Sequence, residues 1–164
     1  TILNWNHLLL DDRYKDIITS SMNFLVADER AAIYAFVIMP NHIHLVWKIA
    51  NDRKKEDVQR DFLKYTAQKM KLKLKDEDPD RLKSFYVGAR DREYQFWERK
   101  PLTSRLPTEE IIVQKINYVH ANLIRGKWNL CKEFIDYKYS SASFYYKENS
   151  EWDFLSHYSG ALFE

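Results

Sequence analysis

The 164-residue chain is poor in the residues that usually punctuate or brace a fold, with one cysteine, four prolines and three glycines. Cys131 alone cannot form an internal disulfide, so a reducing, cytoplasmic location is the default expectation. No stretch at the N-terminus reads as a basic and then apolar secretory signal, although a chain that opens on Thr1 leaves a removed signal open. The longest apolar run, around Ala31 to Pro40, is about half of what a membrane-spanning helix needs, and no transmembrane segment is expected. Repeats, low-complexity tracts and Pro/Gly/Ser linkers are missing, which predicts a single domain over residues 1–164. There is no Walker motif. Neither charge sign dominates: 26 Lys and Arg stand against 24 Asp and Glu, and a net charge of +2 neither demands nor forbids nucleic acid. What the chain does have is aromatic mass, 11 Tyr, 9 Phe and 5 Trp within a 45% hydrophobic composition, which excludes disorder.

Patterning predicts a strand over residues 2–7 and a helix from Asp11 or Asp12 to about Asp28. Two strands over 31–39 and 42–49 meet at the turn Pro40-Asn41. A helix follows over 56–75, with an apolar stripe through Val58, Phe62, Tyr65, Met70 and Leu72 or Leu74. Then come a long loop over 76–92, a strand near 94–99 and a helix from Glu109 to Arg125, capped by Thr108 and stopped by Gly126. Strands and helices in this order predict an α+β fold, a ferredoxin-like sandwich with a central antiparallel sheet and helices packed on it.

Within Asn41-His42-Ile43-His44-Leu45-Val46-Trp47, side chains alternate between faces, so His42 and His44 point together, roughly 7 Å apart at the backbone. Both can reach one divalent ion. Equally, two polar residues on a half-exposed strand can simply meet solvent or a covering helix. On the 109–125 helix, Ile112, Ile116, Val119 and Leu123 form the core face, while Gln114, Tyr118, Asn122 and Arg125 stack along another side. A phenol there can be a nucleophile, an amide oxygen a metal ligand and an arginine a phosphate contact, or the stripe is ordinary amphipathic surface.

Two basic sets stand out. Lys64, Lys69, Lys71, Lys73 and Lys75 occur with no acidic residue between Phe62 and Lys75, either tracking phosphates or forming a solvated face. Arg90, Arg92, Arg99, Lys100 and Arg105 interleave with Tyr94, Phe96 and Trp97, a combination that suits single-stranded nucleic acid if the rings are not core.

The segments Met39-Pro40-Asn41-His42-Ile43-His44-Leu45-Val46 and Tyr118-Val119-His120-Ala121-Asn122 resemble the REP-associated tyrosine transposases, single-tyrosine transposases of the HUH endonuclease superfamily. Gln95-Phe96-Trp97-Glu98-Arg99 and Tyr139-Ser140-Ser141-Ala142 are similar to further segments of that family, so the resemblance runs to about Tyr146. It implies His42, His44 and Asn122 as ligands of Mg²⁺ or Mn²⁺ and Tyr118 as nucleophile. It also implies cleavage and transfer of single-stranded DNA at hairpin-forming elements through a 5′-phosphotyrosine, with the segment of Trp97 and Arg99 on the DNA; Lys64, Lys69, Lys71 and Lys73 of the basic helix and Arg125 of the tyrosine helix are further candidate DNA contacts. The alternatives are a domesticated hairpin-binding protein that does not cut, or a His-ligated metal hydrolase unrelated to DNA, for which the two motif segments hold no carboxylate base. Monomer and homodimer both fit the resemblance. Where the family usually continues Asn-Pro-Val, Leu123 and Ile124 follow Asn122, which predicts a helix that runs on more regularly and shifts Arg125.

Overall fold

Asp11 opens the first regular element: its backbone is extended and its carboxylate accepts from the Arg13 amide at 3.0 Å. A carboxylate in that place satisfies one of the unpaired first-turn amides, and α1 runs on over Asp12–Ala27. The structure, a computed structural model, describes residues 1–124, 128–147 and 151–162. The candidate Arg125 and the expected stop at Gly126 lie outside the described residues.

β1 (Ala31–Ile38) and β2 (Ile43–Ile49) pair antiparallel from Ala31↔Ile49 to Ile38↔Ile43, and the Met39 amide closes their turn on the His42 carbonyl at 2.8 Å. The register slips between Ile33 and Ala35. That irregularity puts Tyr34 and Ala35 in one core cluster, while Ile33, Phe36 and Ile38 enter the other. The hairpin therefore carries a core on each face. On one side lie Ile18 and Met22 of α1 with Phe62 and Met70 of α2 (Lys55–Glu77); on the other lie Ile116, Val119 and Leu123 in and just after α4 (Glu109–Ala121). β1 is almost wholly buried because its other edge is covered too, by the single bridges Val37↔Ser140 and Ile33↔Leu155.

Several expectations change. Residues 2–7 form no strand: Ile2 makes one bridge to Trp97, and Leu3–Trp5 is a 3₁₀ turn with Asn4 and Trp5 at positive φ. The buried stripe of α2 is Val58, Phe62, Thr66, Met70 and Leu74, leaving Tyr65 and Leu72 each 50% exposed. Steps of four drift slowly around a helix, so the stripe follows a tilted line that passes through Thr66. In place of a long loop stand α3 (Pro79–Leu82), capped by the Asp78 carboxylate on the Arg81 amide, and the hairpin of β3 (Tyr86–Ala89) with β4 (Arg92–Tyr94). α4 is capped as expected by Thr108 but ends at Ala121. There the Asn122 side chain donates to the Tyr118 carbonyl at 2.7 Å, and the next two amides bond three residues back, which tightens the turn and stops the helix. Near the C-terminus, α5 covers Ala142–Tyr146.

The class is mixed α and antiparallel β, with two two-stranded sheets among the described residues. Among the described residues the sheet is narrower than the ferredoxin-like expectation, with isolated bridges at its edges. No helix among them is long and apolar enough to cross a membrane.

Candidate active site

The site grows out of the β1–β2 turn. The N-terminal segment takes the turn's carbonyls, with Ile2 donating to Asn41 at 2.8 Å and Leu9 to Pro40 at 3.0 Å, which fixes the backbone just before His42. Asn41 is 1% exposed and uses both ends of its amide. Its Nδ2 donates to the Trp5 carbonyl at 3.3 Å, which defines Oδ1 as the acceptor for His42 Nδ1 at 2.7 Å. That bond selects the Nδ1–H tautomer and leaves the ring's lone pair on Nε2. Sequence patterning used Asn41 only as a turn residue; its place directly before the first histidine was the available signal.

The His42 and His44 rings sit 4.9 Å apart at an interplanar angle of 88°. His44 shares its strand face with Val46, which is buried against the α4 core, while Ile43, Leu45, Trp47 and Ile49 pack toward α1 and α2 as the alternation requires. Burial, reinforced by the charge of Lys115, pulls the His44 imidazole down to about 4, so it is neutral at neutral pH and can act as a ligand.

α4 crosses this face with Val119 inward, which leaves Tyr118 at its margin, 50% exposed. The Tyr118 ring lies 5.8 Å from that of His44 at 84°, so two motifs far apart in sequence meet side by side. Lys115 Nζ stands 4.5 Å over the Tyr118 ring. Sequence reading passed over Lys115, although it lies one turn before the tyrosine on the same side. Other tyrosines are committed elsewhere: the hydroxyls of Tyr137, Tyr139 and Tyr145 bond to Ile38 O, Asp16 Oδ1 and Tyr34 O, and Tyr146 bonds to Asn117. Asn122 lies one turn beyond Tyr118, and no donor among the described residues holds its Oδ1. His120, between them, turns inward at 1% exposure, with Nε2 2.8 Å from Ser141 Oγ and burial lowering it to about 4.

No three His, Cys, Asp or Glu side chains among the described residues converge to hold a metal. The candidate donors are the His42 and His44 imidazoles, whose rings adjoin, and the amide oxygen of Asn122, just after α4. Such a set fits a divalent ion that completes its shell with water or phosphate oxygens.

The expected DNA contacts divide. Lys64 and Arg99 line a groove of about 690 Å³ between α2 and residues 91–103. Lys69 lies over the exposed Tyr65 ring, and neither Lys64 nor Lys69 has a carboxylate partner among the described residues. Lys71 reaches Glu93 at 3.7 Å and the Tyr94 ring, whereas Lys73 pairs with Glu77 at 2.6 Å, which also takes Arg13 of α1. The lysines thus serve opposite flanks of α2 and do not form one stripe. Trp97 is 7% exposed, with its indole N–H donated to Thr66 Oγ1 at 3.0 Å, so its ring packs as core and offers no face to a base in this conformation. Comparison with protein-family models, curated proteins and solved structures returns no match to this chain.

Proposed function

We propose that this chain is a metal-dependent single-stranded DNA endonuclease and strand transferase, similar to the REP-associated tyrosine transposases. The observation that carries the reading is the meeting of the His42–His44 pair with Tyr118 at a ring distance of 5.8 Å. Paired imidazoles able to hold a Lewis-acid metal ion and a half-exposed phenol able to attack are the two parts a phosphodiester transfer needs. The fold goes with it when the edge bridges are read as the outer strands of a ferredoxin-like sandwich whose ladder is not fully formed.

The chemistry follows from these side chains. A DNA phosphate enters beside Tyr118, where Lys115 supplies a positive charge. The Tyr118 Oη–P bond forms as the P–O3′ bond breaks; the phenolic proton leaves to solvent, and O3′ gains one to become a free hydroxyl. The 5′-phosphotyrosine keeps the bond's energy, so attack by another 3′-OH reverses the step without ATP. His42, oriented by Asn41, and His44, kept neutral by burial, would hold the metal ion, with Asn122 Oδ1 as the third protein donor. A divalent ion bound there supplies charge neutralisation at the non-bridging oxygens and alignment of the phosphorus.

The test is a denaturing gel of the protein incubated with Mn²⁺ and a pool of 3′-labelled single strands bearing hairpins. The label is expected at the protein's mass for wild type and is lost in Tyr118→Phe, which retains folding and DNA binding. An adduct that survives Tyr118→Phe refutes the assignment. Binding without any adduct in wild type supports the hairpin-binding protein instead.

A further inference from the structure

Trp5 is 61% exposed, and its backbone sits at φ 56 directly after Asn4 at φ 54. Bulky residues rarely adopt the left-handed region, because Cβ then crowds the following carbonyl oxygen. Packing of the indole does not account for that conformation, because the ring is mostly in solvent. What holds it is a web of bonds from main-chain amides: Ile2 to Asn41 O at 2.8 Å, Leu3 to Phe96 O at 2.7 Å, Asn4 to the Glu98 carboxylate Oε1 at 2.9 Å, and Trp5 to Ile2 O at 3.0 Å. The Trp5 carbonyl in turn accepts from Asn41, the residue that orients His42. An exposed aromatic ring is thus fastened, through strained backbone, to the same buried amide that sets the first histidine.

Its position is equally specific. The indole centroid lies 6.2 Å from that of His42 at 70°, an edge contact that leaves the ring unstacked. Trp5, His42, His44 and Tyr118 form a row of four neighbouring rings, with the nucleophile at one end and the exposed indole at the other. A strand whose phosphate is held between Tyr118 and the histidines brings a neighbouring nucleotide to the far end of that row. Backbone strain at a residue fastened beside reacting groups is what pre-positioning for a ligand looks like.

We infer that Trp5 is a positioning residue of the site, a stacking platform for the base of a nucleotide next to the phosphate that Tyr118 attacks. The inference rests on the proposed DNA chemistry and names a base contact within it. A base has a π-face whatever its identity, so the contact fixes the strand without selecting sequence. It also supplies what Trp97, buried in the core, does not.

The experiment measures binding of metal-free protein to single-stranded oligo-dT and to an abasic oligomer of equal length, by fluorescence anisotropy, for wild type, Trp5→Ala and Trp5→Phe. Trp5→Ala is expected to weaken oligo-dT binding about tenfold and Trp5→Phe about twofold or less, with the abasic oligomer binding all three proteins alike. Equal oligo-dT affinity in Trp5→Ala and wild type overturns the platform while leaving the DNA reading intact. An equal loss on the abasic oligomer overturns it too, because then the substitution acts through the fold. If wild type binds neither oligomer, the DNA reading itself fails and the platform with it.

Discussion

Replacing Asn41 with alanine should separate orientation of the candidate metal pair from simple stability. The side chain is 1% exposed and makes two bonds, from Nδ2 to the Trp5 carbonyl and from His42 Nδ1 to Oδ1. Truncation leaves the His42 N–H without this acceptor, frees the Trp5 carbonyl toward solvent and opens a small void beneath the turn. Leaving a buried polar group unpaired costs about 1–3 kcal/mol, and the void adds to it, so about 2–3 kcal/mol of stability should be lost. For a chain of this size that lowers Tm by about 4–12 °C. Loss of a partner that orients a ligating imidazole typically costs about 10–100-fold in metal affinity. Urea unfolding of the metal-free protein and Mn²⁺ titration by calorimetry read the two effects separately. Asn41→Asp keeps an acceptor for Nδ1–H, so it should bind Mn²⁺ within a few-fold of wild type while still losing the donor to Trp5. If Asn41→Ala loses stability but binds Mn²⁺ as tightly as wild type, Asn41 is packing alone and the orienting argument fails.

What could be read from the sequence was what depends on short-range period. α1, the β1–β2 hairpin and the start of α4 follow from alternation, caps and helical spacing, each decided within about a dozen residues. The faces of β2 and α4 follow as well, which is why His44 and Tyr118 could be named. Their meeting was not legible from period alone, since it depends on how α4 crosses the hairpin, and only the resemblance supplied it. Trp97 went the other way: the family resemblance favoured a DNA contact over core packing, which the residues themselves left equally open, and Thr66, a hydroxyl inside the buried stripe of α2, holds its indole in the core. Thr66 had been passed over in favour of Tyr65 because pattern reading counts apolar side chains, and a threonine that bonds its own helix carbonyls at Phe62 and Leu63 behaves as one. The turn at Trp5 could not be foreseen, because its conformation is imposed by partners at Asn41, Phe96 and Glu98 and not by its neighbours in sequence.

The core assignment of Trp97 predicts that Thr66→Val, nearly isosteric, strands the indole N–H and costs about 1–3 kcal/mol in urea unfolding while oligo-dT affinity stays at the wild-type value. Unchanged stability with weakened DNA binding would return Trp97 to the DNA surface. Acid should destabilise the metal-free protein through His44 and His120, both held by burial at about 4 against an ordinary value of 6.5. The sign follows from which state takes the proton. Between pH 6.5 and 4 the unfolded chain protonates both imidazoles and the folded chain refuses, so stability is full above 6.5 and falls as pH drops through this window. Each histidine accounts for about 2 kcal/mol by pH 5, and below about 4 its share of the loss levels off. His120→Gln should therefore remove about half of the histidine-linked difference between urea midpoints at pH 7 and pH 5. A wild-type midpoint that stays level across those two pH values contradicts the burial of both rings, and with it the neutral state that the proposed ligand role of His44 requires.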